Sequence, residues 1–142
     1  MLRLLTSLSV AALLLRPDPA TAQRRTLDIY WIDVEGGAAT LIVSPSGESM
    51  LIDSGYETDG RDAKRIFDVA QQAGLKRIDS FVLSHFHGDH AGGIGALAKM
   101  MPIGHCYDRG DFIEPINQHW RDVYLGACGD RRTIVHAGDT MP

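Results

Sequence analysis

Six residues constrain this chain most tightly: His85-Phe86-His87-Gly88-Asp89-His90 brings three imidazoles and a carboxylate into one short stretch. The stretch follows residues 78–84, apolar from Phe81 to Leu83, and precedes Ala91-Gly92-Gly93. Burying three histidines and an aspartate would demand a hydrogen-bond partner for each, a costly way to fill a core. Neutral imidazole and carboxylate are instead the ligands that zinc and similar borderline metals prefer, at about 2.0 to 2.2 Å. The competing reading is an exposed polar loop with incidental histidines. Glycines on both sides are expected to let the backbone turn tightly, so that alternate side chains converge. In open α/β sheets, ligands bind beyond the carboxyl ends of strands, where strand hands over to loop and helix. The cluster stands at such a place if residues 78–84 form a strand.

The rest of the pattern supplies that strand and its neighbours. Leu27, Ile29 and Trp31 alternate with Asp28, Tyr30 and Ile32, the period-2 signature of a strand. A second strand is expected over 39–43 and a third over 50–52, with Ser44-Pro45-Ser46-Gly47 as turn chemistry between them. Residues 27–53 therefore read as an antiparallel meander. From Asp59 the period becomes helical through Ala63, Ile66, Phe67, Ala70 and Ala73, and Gly74 stands where a left-handed cap belongs. Residues 78–84 read as a strand buried on both faces. A short helix through Ile94, Leu97, Ala98 and Met101 is stopped by Pro102, followed by a strand over 103–107, a helix over 115–125 and a strand over 133–135. The expected fold class is α/β (α+β), one unit over residues 26–142.

Composition narrows location and partners. Residues 1–22 follow signal-peptide grammar: Arg3, an apolar run over 4–15, then Ala20-Thr21-Ala22. The run is well short of the ~20 residues that span a bilayer as a helix. Secreted or periplasmic location is expected, with no stable membrane anchor after cleavage. The chain carries 14 Lys and Arg against 18 Asp and Glu, and paired arginines occur only at Arg24-Arg25 and Arg131-Arg132. Neutralising phosphates needs clustered cations, so there is no strong nucleic-acid signal. Hydrophobic residues make up 44%, too many for a disordered chain. Cys106 and Cys128 are free to bridge in an oxidising compartment or to stay as two buried thiols; spacing alone leaves both open.

The segment Ser84-His85-Phe86-His87-Gly88-Asp89-His90-Ala91-Gly92-Gly93 resembles the H-x-H-x-D-H signature of the metallo-β-lactamase superfamily. Leu51-Ile52-Asp53-Ser54-Gly55, ending a strand-turn-strand, resembles the first motif of that superfamily. Asp33-Val34-Glu35-Gly36-Gly37-Ala38-Ala39-Thr40-Leu41 is similar to the branch holding secreted metallohydrolases and the metallo-β-lactamase-like domain of DNA-uptake competence proteins. The resemblance covers residues 26 to about 101 and extends more loosely to Ala137-Gly138-Asp139-Thr140-Met141-Pro142, which is similar to the segment opening the second half of that branch.

The resemblance implies the N-terminal half of an αββα sandwich, C-terminally incomplete, with zinc as cofactor, two ions per complete site. It assigns His85 and His87 to the first metal, Asp89 and His90 to the second, and Asp53 to a supporting carboxylate that holds a histidine tautomer. Asp53 as a plain turn residue is the alternative. The implied chemistry is hydrolysis: the metal lowers the pKa of water toward ~7, and Asp89 orients that water and shuttles its proton. Small-molecule esters, amides or lactones, or a phosphodiester, are the implied substrates. In the superfamily the remaining ligands come from the second half, and His105, His119 and His136 each lack a ligand-like flank. An N-terminal fragment is thus expected, with a truncated, non-catalytic metal-binding or partner-binding half-domain as the alternative function. Such a half is expected to expose an apolar sheet face.

Overall fold

The computed structural model describes residues 26–141. The expected signal peptide lies outside the described residues. Strands β1 (Asp28–Trp31), β2 (Thr40–Val43) and β3 (Ser49–Ile52) form the antiparallel meander expected from the sequence. Strands β4 (Ile78–Leu83), β5 (Ile103–Asp108) and β6 (Arg132–Ile134) then join in parallel, so the sheet order is simply β1 to β6. Helix α1 (Arg61–Gln72) links β3 to β4; α2 (Gly88–Ala91) and α3 (Ile94–Met100) link β4 to β5; α4 (Gln118–Cys128) links β5 to β6. Gly74 takes the expected left-handed conformation after α1, at φ 77°. Helix α4 starts and ends about one turn later than its periodicity predicts, because Pro115–Asn117 forms a separate 3₁₀ turn before it.

Three crossovers that step in one direction along a parallel sheet, each right-handed, must lay their helices on the same face. The core follows that geometry. Leu41, Val43, Leu51, Phe81, Leu83 and Cys106 from the strands pack with Ala63, Ile66, Ala70, Ile94, Leu97 and Tyr124 from the helices. The opposite face carries the register row Trp31, Thr40, Ile52, Val82, Tyr107 and Thr133. Trp31 at the edge of that row is 80% exposed. Strand β4 therefore departs from the expected two-sided burial: Phe81 and Leu83 are buried while Ser80 and Val82 are only partly so. Its apolar run reports one fully buried face and one partly buried face.

Cys106 in β5 and Cys128 at the end of α4 are bridged, with Cα atoms 5.9 Å apart. The alternative of two thiols is thereby closed. Next to the bridge, buried Asp108 accepts hydrogen bonds from Tyr124 Oη at 2.8 Å, from Arg132 at 2.6 and 2.9 Å, and from Gly110 N at 2.8 Å. Burial pushes the Asp108 carboxyl up, but Arg132, the Gly110 amide and Tyr124 outweigh it and hold the group below the usual carboxylate range. Burial and the Asp108 carboxylate together drive the Tyr124 hydroxyl far above its ordinary value, so it stays a donor. Tyr124 is thereby fixed as a wall of the core, with consequences for the histidine stretch.

Candidate metal centre

The strand–loop–helix handover predicted for the histidine stretch is present at the carboxyl ends of β3 and β4. His85 lies two residues past Leu83, His87 precedes the first residue of α2, and Asp89 and His90 lie within α2. Phe86 turns the opposite way. It is 2% exposed and meets the Tyr124 ring edge-on at 5.5 Å between centroids. One side chain driven into the core thus leaves its two neighbours on the far side together. A nitrogen of His85, a nitrogen of His87 and a carboxylate oxygen of Asp89 all lie within 4.8 Å of one another. The His85 ring is 4.4 Å from that of His87 and 4.0 Å from that of His90.

His90 is held from behind. Its Nδ1 lies 2.8 Å from Asp53 Oδ2, and its Nε2 lies 3.4 Å from Asp89 Oδ2. A carboxylate on Nδ1 selects the tautomer that leaves Nε2 with a free lone pair. Asp53 is 4% exposed and adopts φ 59°, a left-handed conformation that aspartate tolerates better than most residues. It also accepts from Ser84 N and Ser84 Oγ, each at 2.8 Å. Strand pairing explains the meeting: Asp53 N donates to Val82 O at 2.9 Å, so the ends of two adjacent parallel strands bring together residues 31 positions apart.

The charge state suits ligation. Partial burial, reinforced by His90 and His87 nearby, lowers the His85 pKa; Asp53 and Asp89 only partly oppose the shift. The neutral imidazole is the form that binds a metal ion. Two imidazole nitrogens and one carboxylate that face a common space, with a fourth group oriented by Asp53, fit a borderline divalent cation such as zinc.

Two loops stitch this turn to the sheet. Ser54 donates to His90 O through its amide at 2.7 Å and its hydroxyl at 2.9 Å, while Ala38 N donates to Asp89 O at 3.0 Å. The glycines act differently from the expectation that they supply a tight turn. Gly92 and Gly93 have ordinary helical φ values of −64° and −79°. They are needed for space: a Cβ on Gly92 would reach 2.5 Å from Glu57 N, and one on Gly93 would strike Ser54 O. Gly88 similarly abuts the Trp120 indole, where a Cβ would lie 2.8 Å away. Gly93→Ala is expected to lower stability by about 3 kcal/mol, as overpacking against backbone does. A urea unfolding midpoint matching the parent's would contradict this close-packing account.

Sequence reasoning did not single out Ser84, Glu114 or Trp120. Ser84 adjoins the motif, yet its bonds to Asp53 depend on strand pairing. Glu114 Oε2 lies 3.6 Å from His87 Nε2, brought there by a loop from the far side of the motif. The remaining histidines stay apart: His105 Nε2 bonds Thr133 Oγ1 at 2.8 Å, His119 lies against Trp120, and His136 Nδ1 sits 3.6 Å from Asp139.

The sequence profile of the metallo-beta-lactamase superfamily matches residues 32–140, a span that begins in the loop preceding β2 and includes every site residue described above. The chain belongs to the metallo-beta-lactamase superfamily. It is 28% identical over 123 residues to a UPF0173 metal-dependent hydrolase of Cupriavidus metallidurans, an alignment covering 78% of this chain and 40% of that protein. It is 30% identical over 105 residues to Recombination protein 2 of Haemophilus influenzae, covering 72% of this chain and 12% of that protein. The chain thus spans well under half the length of either relative. Among solved structures it is similar to the metallo-beta-lactamase SMB-1 bound to 2-mercaptoethanesulfonate, at 25% identity and TM-score 0.46, over 56% of this chain and 29% of that one. The same enzyme in complex with mercaptoacetic acid gives 26% identity and TM-score 0.46, over 56% of this chain and 30% of that one.

Proposed function

We propose that this chain serves a zinc-dependent hydrolase of the metallo-beta-lactamase superfamily acting on a small-molecule ester, amide or lactone, or on a phosphodiester. The reading is carried by one observation: donor atoms of His85, His87 and Asp89 meet within 4.8 Å of one another. His85, His87, Asp89 and His90 are the residues that would hold the metal, with two ions per complete site. When bound, such an ion supplies Lewis acidity, polarising a carbonyl or phosphoryl oxygen and making water a stronger acid.

The chain's own residues divide the remaining work. Asp53 holds the His90 Nδ1 proton and so keeps Nε2 directed toward Asp89. Ser84 fixes the Asp53 carboxylate with two donors, which prevents it from turning into the site itself. Asp89 is partly exposed and carries a carboxylate oxygen within 4.8 Å of the His85 and His87 donor nitrogens, a position from which a carboxylate accepts and returns a proton. Work outside the cytoplasm, in a secreted or periplasmic setting, is part of the proposal; the Cys106–Cys128 bridge supports it, since disulfides persist in oxidising compartments.

The test is zinc titration of the purified chain beside a hydrolysis panel containing an activated ester, a lactone, an amide and an aryl phosphodiester. Stoichiometric zinc uptake with chelator-sensitive turnover of one class is expected. Absence of uptake would overturn the proposal, and uptake without turnover of any class would leave a metal-binding module in its place.

A further inference from the structure

Glu114 stands at the end of the loop between β5 and the turn that opens α4, far from the histidine stretch in sequence. Its Oε2 lies 3.6 Å from His87 Nε2. That separation is too long for an N–H···O hydrogen bond, which falls at roughly 2.7 to 3.2 Å. As a plain ion pair between half-exposed groups it would contribute little, because solvent screens both charges. It matches something else. Two atoms each about 2.1 Å from one tetrahedral ion stand roughly 3.4 Å apart. The Asp89–His90 pair shows that same spacing, at 3.4 Å.

The placement of Glu114 is built rather than incidental. Pro115 follows it, which confines Glu114 to extended backbone, observed at φ −66° and ψ 140°. Asn117, itself 9% exposed, donates its side-chain amide to Glu114 Oε2 at 3.2 Å. Helix α4 is in turn seated on α2 where the Trp120 indole fills the space beside Gly88. Backbone restriction, a side-chain donor and the helix contact together hold this carboxylate at the edge of the site nearest His87. Its carboxylate would add a second anionic oxygen donor, beside that of Asp89, for a divalent cation.

We propose that Glu114 is a further metal ligand of this site, supplying a carboxylate oxygen to the ion held by His87. The inference rests on the metal-binding reading above. It is tested by titrating the full chain and its Glu114→Ala and Glu114→Gln variants with zinc, and by recording the visible absorption of the cobalt(II) forms. Glu114→Gln keeps an oxygen to accept from Asn117, so the turn is preserved while the anionic ligand is lost. Both variants are expected to bind zinc at least tenfold more weakly, in line with the 10–100-fold losses seen when even outlying partners of a ligand are removed. The cobalt bands are expected to shift in both. Parent-like affinity and spectrum in Glu114→Gln would overturn the assignment, whatever Glu114→Ala does, because a capping role alone survives that change. If the parent takes up no metal, the functional proposal falls together with this one; if the parent binds and Glu114→Gln binds equally, only the Glu114 assignment falls.

Discussion

His85→Ala is expected to weaken zinc binding by on the order of 100-fold or more, the largest effect of any single change at this site. The reason is central position. His85 contributes one of the three donors that meet within 4.8 Å, and its ring stands 4.4 Å from His87 and 4.0 Å from His90. Removing a side chain that merely orients a ligand costs 10–100-fold in affinity, and removing the ligand costs at least as much. A hundredfold loss corresponds to about 2.7 kcal/mol of binding free energy. The fold should tolerate the change, because His85 is partly exposed and its loss opens no core cavity. Competition titration against a chromophoric chelator gives the affinity, and urea unfolding of the metal-free protein gives the control. Equal affinity in variant and parent would mean that the histidine stretch is an ordinary polar loop.

Phe86→Ala is expected to do the converse, lowering stability by about 3 to 5 kcal/mol, the usual cost of truncating a buried phenylalanine. That is a large share of the 5 to 15 kcal/mol by which a domain is stable. Phe86 is 2% exposed and packs on Tyr124, whose hydroxyl is committed to Asp108 and whose ring also faces Phe81 at 6.1 Å. The cavity would open directly beneath the two histidines that flank position 86. Zinc affinity should therefore fall as well, while Phe86→Leu, which refills much of the volume, should recover part of both losses. Chemical unfolding with and without zinc separates the two effects. A stability change under about 1 kcal/mol would show that Phe86 is not the anchor of this turn.

Much of this architecture could be read along the chain because its signals are local. Alternation at 27–32, the turn chemistry of 44–47 and the helical spacing from Ala63 to Ala73 each depend on residues that are neighbours in sequence. The same holds for the histidine stretch, whose donors are separated by one or two positions. One local inference led elsewhere. Gly92 and Gly93 looked like turn residues, but their role is to admit the Ser54 and Glu57 backbone, a requirement set by a loop almost forty residues earlier. Likewise, the apolar run of β4 gave no sign that its two faces are buried unequally, since that depends on the direction in which successive crossovers step.

By itself, then, the sequence determined the donor types, their spacing, the strand that delivers them and the superfamily. The tertiary structure alone decided the partners: Asp53 on His90 through pairing of β3 with β4, Ser84 clamping Asp53, Phe86 seated on Tyr124, the Cys106–Cys128 bridge, and Glu114 beside His87. The physical reason is one of range. Periodicity and ligand spacing are properties of a few consecutive residues, whereas each of these contacts joins segments whose proximity exists only once the sheet has paired and the helices have packed onto it.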